Sequence, residues 1–344
     1  MKKLTILSVA VLMASGANAA EVYQSKDLTL SVGGRAEARA DVYNSEAKTA
    51  GKTDQTVNDQ SRARLNFDAK TQINDSVFAH GFTEGEYTKD GGFETRYLYV
   101  GIGNENIEAQ YGKTDGSLGQ VTDIVDFFDT YSGQAQAKLK TADRTENQLL
   151  VIGHAGTFTL KANANGGGQD YSSSNASTES FKAKVNYGLG ASAVGDLGAG
   201  FTLGGGIAYE DLKDTSLNGS SAKDSGGDNA LEAAAGLGYT YQDLYLSVGV
   251  NQTNATIQDS DLQTLGYAVA GAYNITDKLT YRLGYASQSH DNDGAVNPDD
   301  DSFVSTELSY VFTPNFKLYT GLEYGLSGTK DDSIAGRVGA NMTF

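Results

Sequence analysis

The chain has no cysteine and no tryptophan, and only two prolines and three histidines among its 344 residues. Without cysteine there is neither a disulfide framework nor a thiolate metal site. Positive charge is scarce: 26 Lys and Arg stand against 43 Asp and Glu, a formal net charge of −17, which argues against nucleic acid as a partner. Long apolar runs are missing too. Beyond the N-terminus nothing approaches the roughly 18 consecutive apolar residues of a membrane-spanning helix. Hydrophobic content, at 39%, is low for a soluble protein of this size, which would bury a large core. It suits a closed sheet that needs one apolar face per strand, and the 42 glycines fit a chain of many strands and open turns.

What is present begins with a leader. Lys2 and Lys3 precede an apolar run from Leu4 to Met13, and the small-residue triplet Ala17-Asn18-Ala19 follows. This is a secretory signal peptide over 1–19, cut after Ala19, with an apolar run too short to span a bilayer. From residue 20 on, period-2 alternation dominates. Leu28, Leu30, Val32, Ala36, Ala38, Ala40 and Val42 share one face, and Thr29, Ser31, Arg35, Glu37, Arg39 and Asp41 the other. The last segment, Ile334 to Phe344, alternates in the same way and closes on an aromatic residue at the carboxyl end. Exported, alternating and free of apolar helices, the chain reads as a 16-stranded antiparallel transmembrane β-barrel over 20–344, with lipid outside and water inside. The strands are expected near 28–43, 61–71, 77–87, 93–103, 106–113, 144–153, 156–165, 179–194, 200–212, 229–241, 243–254, 262–274, 278–289, 302–313, 315–326 and 333–344. Short turns alternate, imperfectly, with longer external loops. Tyrosines at strand ends, among them Tyr209, Tyr239, Tyr241, Tyr273 and Tyr310, have the placement of an interfacial girdle.

Two features point to function. All eight arginines fall on the polar parity, and Arg35, Arg39, Arg62, Arg64 and Arg96 lie in the first four expected strands. Strands run about 4.8 Å apart, so these side chains would stack on one inner wall, tolerable only beside water or facing acids. The second feature is the connection over 114–143. Its Val121, Ile124, Val125, Phe128 and Tyr131 recur at helical spacing, with Asp123, Asp126 and Asp129 opposite. A short amphipathic helix is expected there, its apolar side on the barrel wall and its aspartates toward the arginines.

Specific segments carry a family resemblance. Gly34-Arg35-Ala36-Glu37-Ala38-Arg39, Arg62-Ala63-Arg64-Leu65-Asn66-Phe67, Thr95-Arg96-Tyr97-Leu98-Tyr99-Val100-Gly101, Tyr111-Gly112-Lys113 and Asp143-Arg144 occur in this order. Together they resemble the general diffusion porins of Gram-negative bacteria, most similar to those of Vibrio and Photobacterium. The resemblance implies a pore with a basic wall of Arg35, Arg39, Arg62, Arg64, Arg96, Lys113 and Arg144. It implies acidic lining from Glu84 and from the loop residues Asp115, Asp123, Asp126 and Asp129. It further implies passive diffusion of ions and small hydrophilic solutes and an assembly signal at Phe344 read by the outer-membrane barrel assembly machinery. Contact with outer-membrane lipid and lipopolysaccharide, a homotrimer, and no cofactor or metal are also implied. Two departures stand out. The Pro-Glu-Phe-Gly-Gly turn of enteric constriction loops is missing, and the second external loop, Thr88–Gly92, is short for a latch onto a neighbouring subunit.

A mildly cation-preferring pore is the expectation, because acidic external positions (Asp291, Asp293, Asp299, Asp300, Asp301, Asp331 and Asp332) would gather cations at its mouth. The alternatives are a substrate-specific channel, which needs an aromatic slide or a dedicated ligand site, and a structural or adhesive barrel with a plugged lumen. An enzyme is disfavoured. His154 falls in an expected turn and His290 in an expected loop, no nucleophile with an orienting acid accompanies His80, and no Gly-x-Ser-x-Gly elbow occurs.

Overall fold

A computed structural model of the chain describes residues 20–25, 27–44, 56–131, 138–174, 180–217, 220–221, 227–258, 260–292, 300–328 and 331–344. The expected leader, 1–19, and the acidic loop residues Asp293 and Asp299 lie outside them.

Sixteen strands form one closed antiparallel ring. They are β1 (Leu28–Tyr43), β2 (Arg62–Gln72), β3 (Phe78–Thr88), β4 (Phe93–Gly103), β5 (Ile107–Thr114), β6 (Thr145–Ala155), β7 (Phe158–Gly166) and β8 (Ser180–Gly198). The second half comprises β9 (Phe201–Leu217), β10 (Asn229–Tyr241), β11 (Leu244–Ile257), β12 (Ser260–Asn274), β13 (Leu279–Asn292), β14 (Asp301–Thr313), β15 (Phe316–Ser327) and β16 (Ile334–Thr343). Each strand pairs with the next, and β16 returns to β1 in the register Ala38↔Ala340. Phe344 fastens the seam: Gly34 N–H donates to the Phe344 carbonyl at 2.8 Å, and Phe344 N–H donates to the Gly34 carbonyl at 3.0 Å. Closure leaves no sheet edge, which a barrel in lipid requires because hydrocarbon offers no partner to backbone groups.

Alternation explains which residues turn outward. On β4, Leu98 and Val100 are 60% and 67% exposed, as apolar side chains meant for lipid would be, while the alternate residues Tyr97 and Tyr99 turn inward. The segment Ala20–Gln24 forms a short strand on β1, in the register Ala20↔Val32, and so belongs to the wall.

Three expectations need correction in detail. β8 and β9 run four or five residues past their expected ends, to Gly198 and Leu217, because their register continues through Phe181↔Leu217 and Gly198↔Phe201. Their turn is Ala199–Gly200, with φ of 53° and 88°, the left-handed geometry that tight hairpins demand. His154 lies within β6, whose turn is Gly156–Thr157, and His290 lies within β13. The loop helix is a single turn, α1 (Gly119–Thr122), rather than the longer segment that the apolar spacing suggests. Helix-type bonds reach as far as Asp126 N–H, which donates to the Thr122 carbonyl at 3.2 Å, and the wall takes the Ile124 carbonyl, to which the Tyr245 hydroxyl donates at 2.8 Å.

The buried apolar residues sit between loop and wall. Leu118, Val121 and Leu139 of the loop pack with Val185, Ala208 and Leu212 of β8 and β9. Farther along, Val125 packs with Ala268, Ala286 and Phe303.

Candidate functional site: the constriction

The arginines gather as expected, but not alone. Neighbouring inward positions on β1–β4 bring Arg35, Arg39, Arg62, Arg64 and Arg96 into one cluster with Glu37, Glu84 and Glu86. Glu37 accepts from Arg62 Nε at 2.5 Å and from the Tyr319 hydroxyl at 2.6 Å, with Arg35 and Arg39 at 3.9 and 3.8 Å. Glu84 pairs with Arg96 at 2.8 Å and Arg64 at 4.0 Å. Glu86 pairs with Arg64, and lies 3.6 Å from Arg62 and 3.7 Å from Arg96. Five guanidinium groups against three carboxylates leave two positive charges uncompensated. Arg35 is the most exposed of the five, at 27% for its side chain, and its contact with Glu37 is a long one.

Arg96 reaches this cluster through a bulge. β3 and β4 pair as Glu84↔Tyr97 and then Gly85↔Thr95, so Arg96 is an extra residue. Both Arg96 and Tyr97 therefore face inward, the kind of re-aiming bulges perform. Glu84, expected as an inward acidic lining group on the third strand, is buried among the arginines. Arg144 stands at the root of the loop, 5.0 Å above the Tyr97 ring, whose hydroxyl donates to Asp115 at 2.7 Å. Lys113 is not brought to the arginines. Its register partner is the outward Leu98, and its ammonium lies 3.3 Å from exposed Glu146.

The loop crosses to the opposite wall and is fastened there by side chains from many strands. Asn163 of β7 accepts from Ser117 N–H at 2.9 Å, and Gln120 donates to Ser192 of β8 at 2.7 Å. Glu210 of β9 accepts from Thr141 N–H at 2.6 Å, and Glu232 of β10 from Leu139 N–H at 2.7 Å. Glu307 of β14 accepts from both the N–H and the hydroxyl of Thr130, at 2.7 and 2.9 Å, and pairs with Arg282. Arg337 of β16 donates to the Thr130 carbonyl at 2.9 Å while held by Asp41 on β1. Charge-assisted bonds of this kind contribute about 1.5–3 kcal/mol each, so the anchorage is strong in sum.

The loop aspartates divide by their partners. Asp129 is taken by Lys317 of β15 at 2.5 Å. Asp126 is exposed within the lumen, and Asp123 is half-buried. Burial raises the Asp123 carboxyl to about 6, against the opposing pull of Lys138. The loop's inward fold also needs room. A side chain at Gly236 would come within 3.0 Å of Ile124, and one at Gly204 within 2.8 Å of it.

Sequence reasoning named the arginines and the loop but not Glu37 and Glu86, nor the anchors Glu210, Glu232 and Glu307. A signal existed for Glu232: it is a lone carboxylate on an inner face of β10 otherwise built of small residues, Ala230, Ala234 and Gly236.

Comparison with known proteins agrees with this geometry. A family model described as Gram-negative porin matches residues 7–331. Porin-like protein L of Photobacterium profundum is 33% identical over 94% of this chain and 92% of its own length. Outer membrane protein U of Vibrio parahaemolyticus is 32% identical over 99% of this chain and 94% of its own. Among solved structures, in-vitro folded OmpT of Vibrio cholerae in its trimer form superposes with a TM-score of 0.71 at 16% identity, covering 92% of this chain and all of that one. A closed sixteen-strand ring, an inward loop and a match over nearly the whole sequence converge on one conclusion: the chain belongs to the Gram-negative porin family.

Proposed function

We propose that this chain forms a water-filled pore whose narrowest section lies between the β1–β4 arginine cluster and the loop aspartates, with a weak to moderate preference for cations. At the coarser level it is an outer-membrane porin that passes small solutes by passive diffusion. The observation that carries the finer reading is the interleaving of Glu37, Glu84 and Glu86 with the arginines. A basic wall so largely neutralised from within offers anions little net attraction. Asp115, Asp123 and Asp126 stand on the loop side, and the overall charge is −17. Field and pore dimensions together set ion preference, and an uncharged apolar solute is disfavoured because it cannot replace the water around the charges.

A homotrimer is proposed with it, as the Vibrio cholerae neighbour is described in a trimer form. Phe344, hydrogen-bonded across the seam to Gly34, is the proposed assembly signal for the barrel assembly machinery, and lipopolysaccharide the proposed outer-leaflet contact. Planar-bilayer recording in a potassium chloride gradient tests the reading. Large steps, in threes for a trimer, with a reversal potential on the cation side are expected. Reversal on the anion side overturns the cation preference. Folded protein that gives no steps overturns the open pore in favour of a plugged structural or adhesive barrel.

A further inference from the structure

Below the arginine cluster the lumen changes character. Going up β3 from the short turn at 73–77, the inward side chains are Phe78, His80 and Phe82, and only then Glu84 and Glu86. β4 sets Tyr99 opposite Phe82, and Tyr97 opposite Glu84. The rings touch in series. Centroids lie 5.9 Å apart for Phe78 and His80, 5.6 Å for His80 and Tyr99, 5.6 Å for Tyr99 and Phe82, and 5.8 Å for Phe82 and Tyr97. Gly101 leaves the space that the His80 ring fills. The result is a lane of five rings that climbs the wall for roughly 20 Å, at about 3.3 Å per residue, and ends at the Arg96–Glu84 pair.

This lane is not the packing core of the barrel. The loop's apolar residues pack on β8 to β14, on the far side of the lumen. The five rings remain partly exposed, and polar groups edge them. Glu108 meets His80 at 2.7 Å, and Asp68 lies 3.9 Å from its other nitrogen. Lys70 stands 4.1 Å above the Phe78 ring, and Asp115 accepts from the Tyr97 hydroxyl. Flat apolar surface bordered by hydrogen-bonding carboxylates and an ammonium is the composition of a ligand site, with faces for contact and edges for orientation.

We propose that the β3–β4 wall is a low-affinity saccharide track. A neutral sugar ring has an apolar C–H face for the aromatic rings and peripheral hydroxyls for Asp68, Glu108 and Lys70. Acids on both flanks disfavour anionic solutes. Several weak neighbouring contacts, rather than one tight site, let a solute enter and still leave, so affinity is on the order of millimolar. The proposal rests on the open-pore reading, and its test separates the two.

Single-channel current is recorded with maltotriose added, and with a polyethylene glycol of equal mass as the control. Conductance without sugar reads the pore alone. Brief maltotriose-dependent interruptions that the glycol does not produce are the expected result. Replacing the rings by Phe82→Leu with Tyr99→Leu should shorten them on the order of tenfold, the worth of two lost ring contacts. Phe82→Tyr with Tyr99→Phe, which keeps both rings, should preserve them. An open pore without sugar-dependent interruptions, or interruptions unchanged by the leucine pair, overturns the track. Saturation-transfer NMR on the detergent-solubilised wild-type protein reads the same contact without conduction and without a variant. Transfer from protein to the sugar ring protons is expected, and transfer no stronger than that to the glycol overturns the track.

Discussion

Arg35 and Arg96 carry the same charge on the same wall, yet their surroundings give them different weight. Arg35 meets Glu37 only at 3.9 Å and is the most exposed of the cluster, whereas Arg96 is bonded at 2.8 Å to buried Glu84. Arg35→Ala should therefore move the reversal potential toward the cation value with a stability change within about 0.5 kcal/mol. Arg96→Ala removes the closest partner of a buried carboxylate and should cost about 3 kcal/mol. The temperature at which the folded band disappears from an unheated gel would separate the two variants; equal losses would show that exposure does not rank these arginines. Asp123 adds a pH dependence. Its carboxyl, raised by burial to about 6, is charged above that pH and neutral below it. Cation preference should accordingly fall as pH drops from 7 to 5, and Asp123→Asn should flatten that part of the profile. A wild-type profile with no change across this range would count against Asp123 lining the current path.

The loop over 114–143 and the wall from β7 to β16 work as one element, because the wall is shaped to the loop. Glu210, Glu232 and Glu307 receive its N–H groups, and Gly204 and Gly236 leave its Ile124 room. Gly236→Leu should push the loop off the wall and into the lumen, lowering single-channel conductance while costing about 1–3 kcal/mol through overpacking. Unchanged conductance would mean that the loop does not set the narrowest section. The loop also shows where local pattern stops being informative. The apolar spacing of Val121, Ile124 and Val125 foretold a buried face, and those residues are buried. It did not foretell a helix of one turn, because strands more than 100 residues away in sequence supply the competing hydrogen bonds, such as Tyr245 to Ile124. Likewise, parity alone could not aim Arg96 inward together with Tyr97; the bulge arises from how β3 and β4 meet.

At the scale of the whole molecule, the ring of sixteen strands was legible almost end to end, because lipid on one side and water on the other force a period-2 pattern. Strand ends were less so. β9 continues upward past its expected boundary, through Lys213 to Ser216, where both faces of the sheet become polar and the alternation that marks a strand fades, and β8 runs on at its other end into the tight turn at Ala199–Gly200. The sequence located the arginines and Glu84, but the pairing of Glu37, Glu84 and Glu86 with those arginines became visible only when β1, β2, β3 and β4 lay side by side. That interleaving has a consequence for how such a pore changes over time. The wall's excess of two charges is a small remainder of eight. Loss of a single arginine halves it, and loss of a single glutamate enlarges it by half. The ring, the seam and the loop anchorage need not change at all. Ion preference is thus a loosely held trait on a firmly held scaffold, free to drift between near relatives by single substitutions while the architecture stays constant.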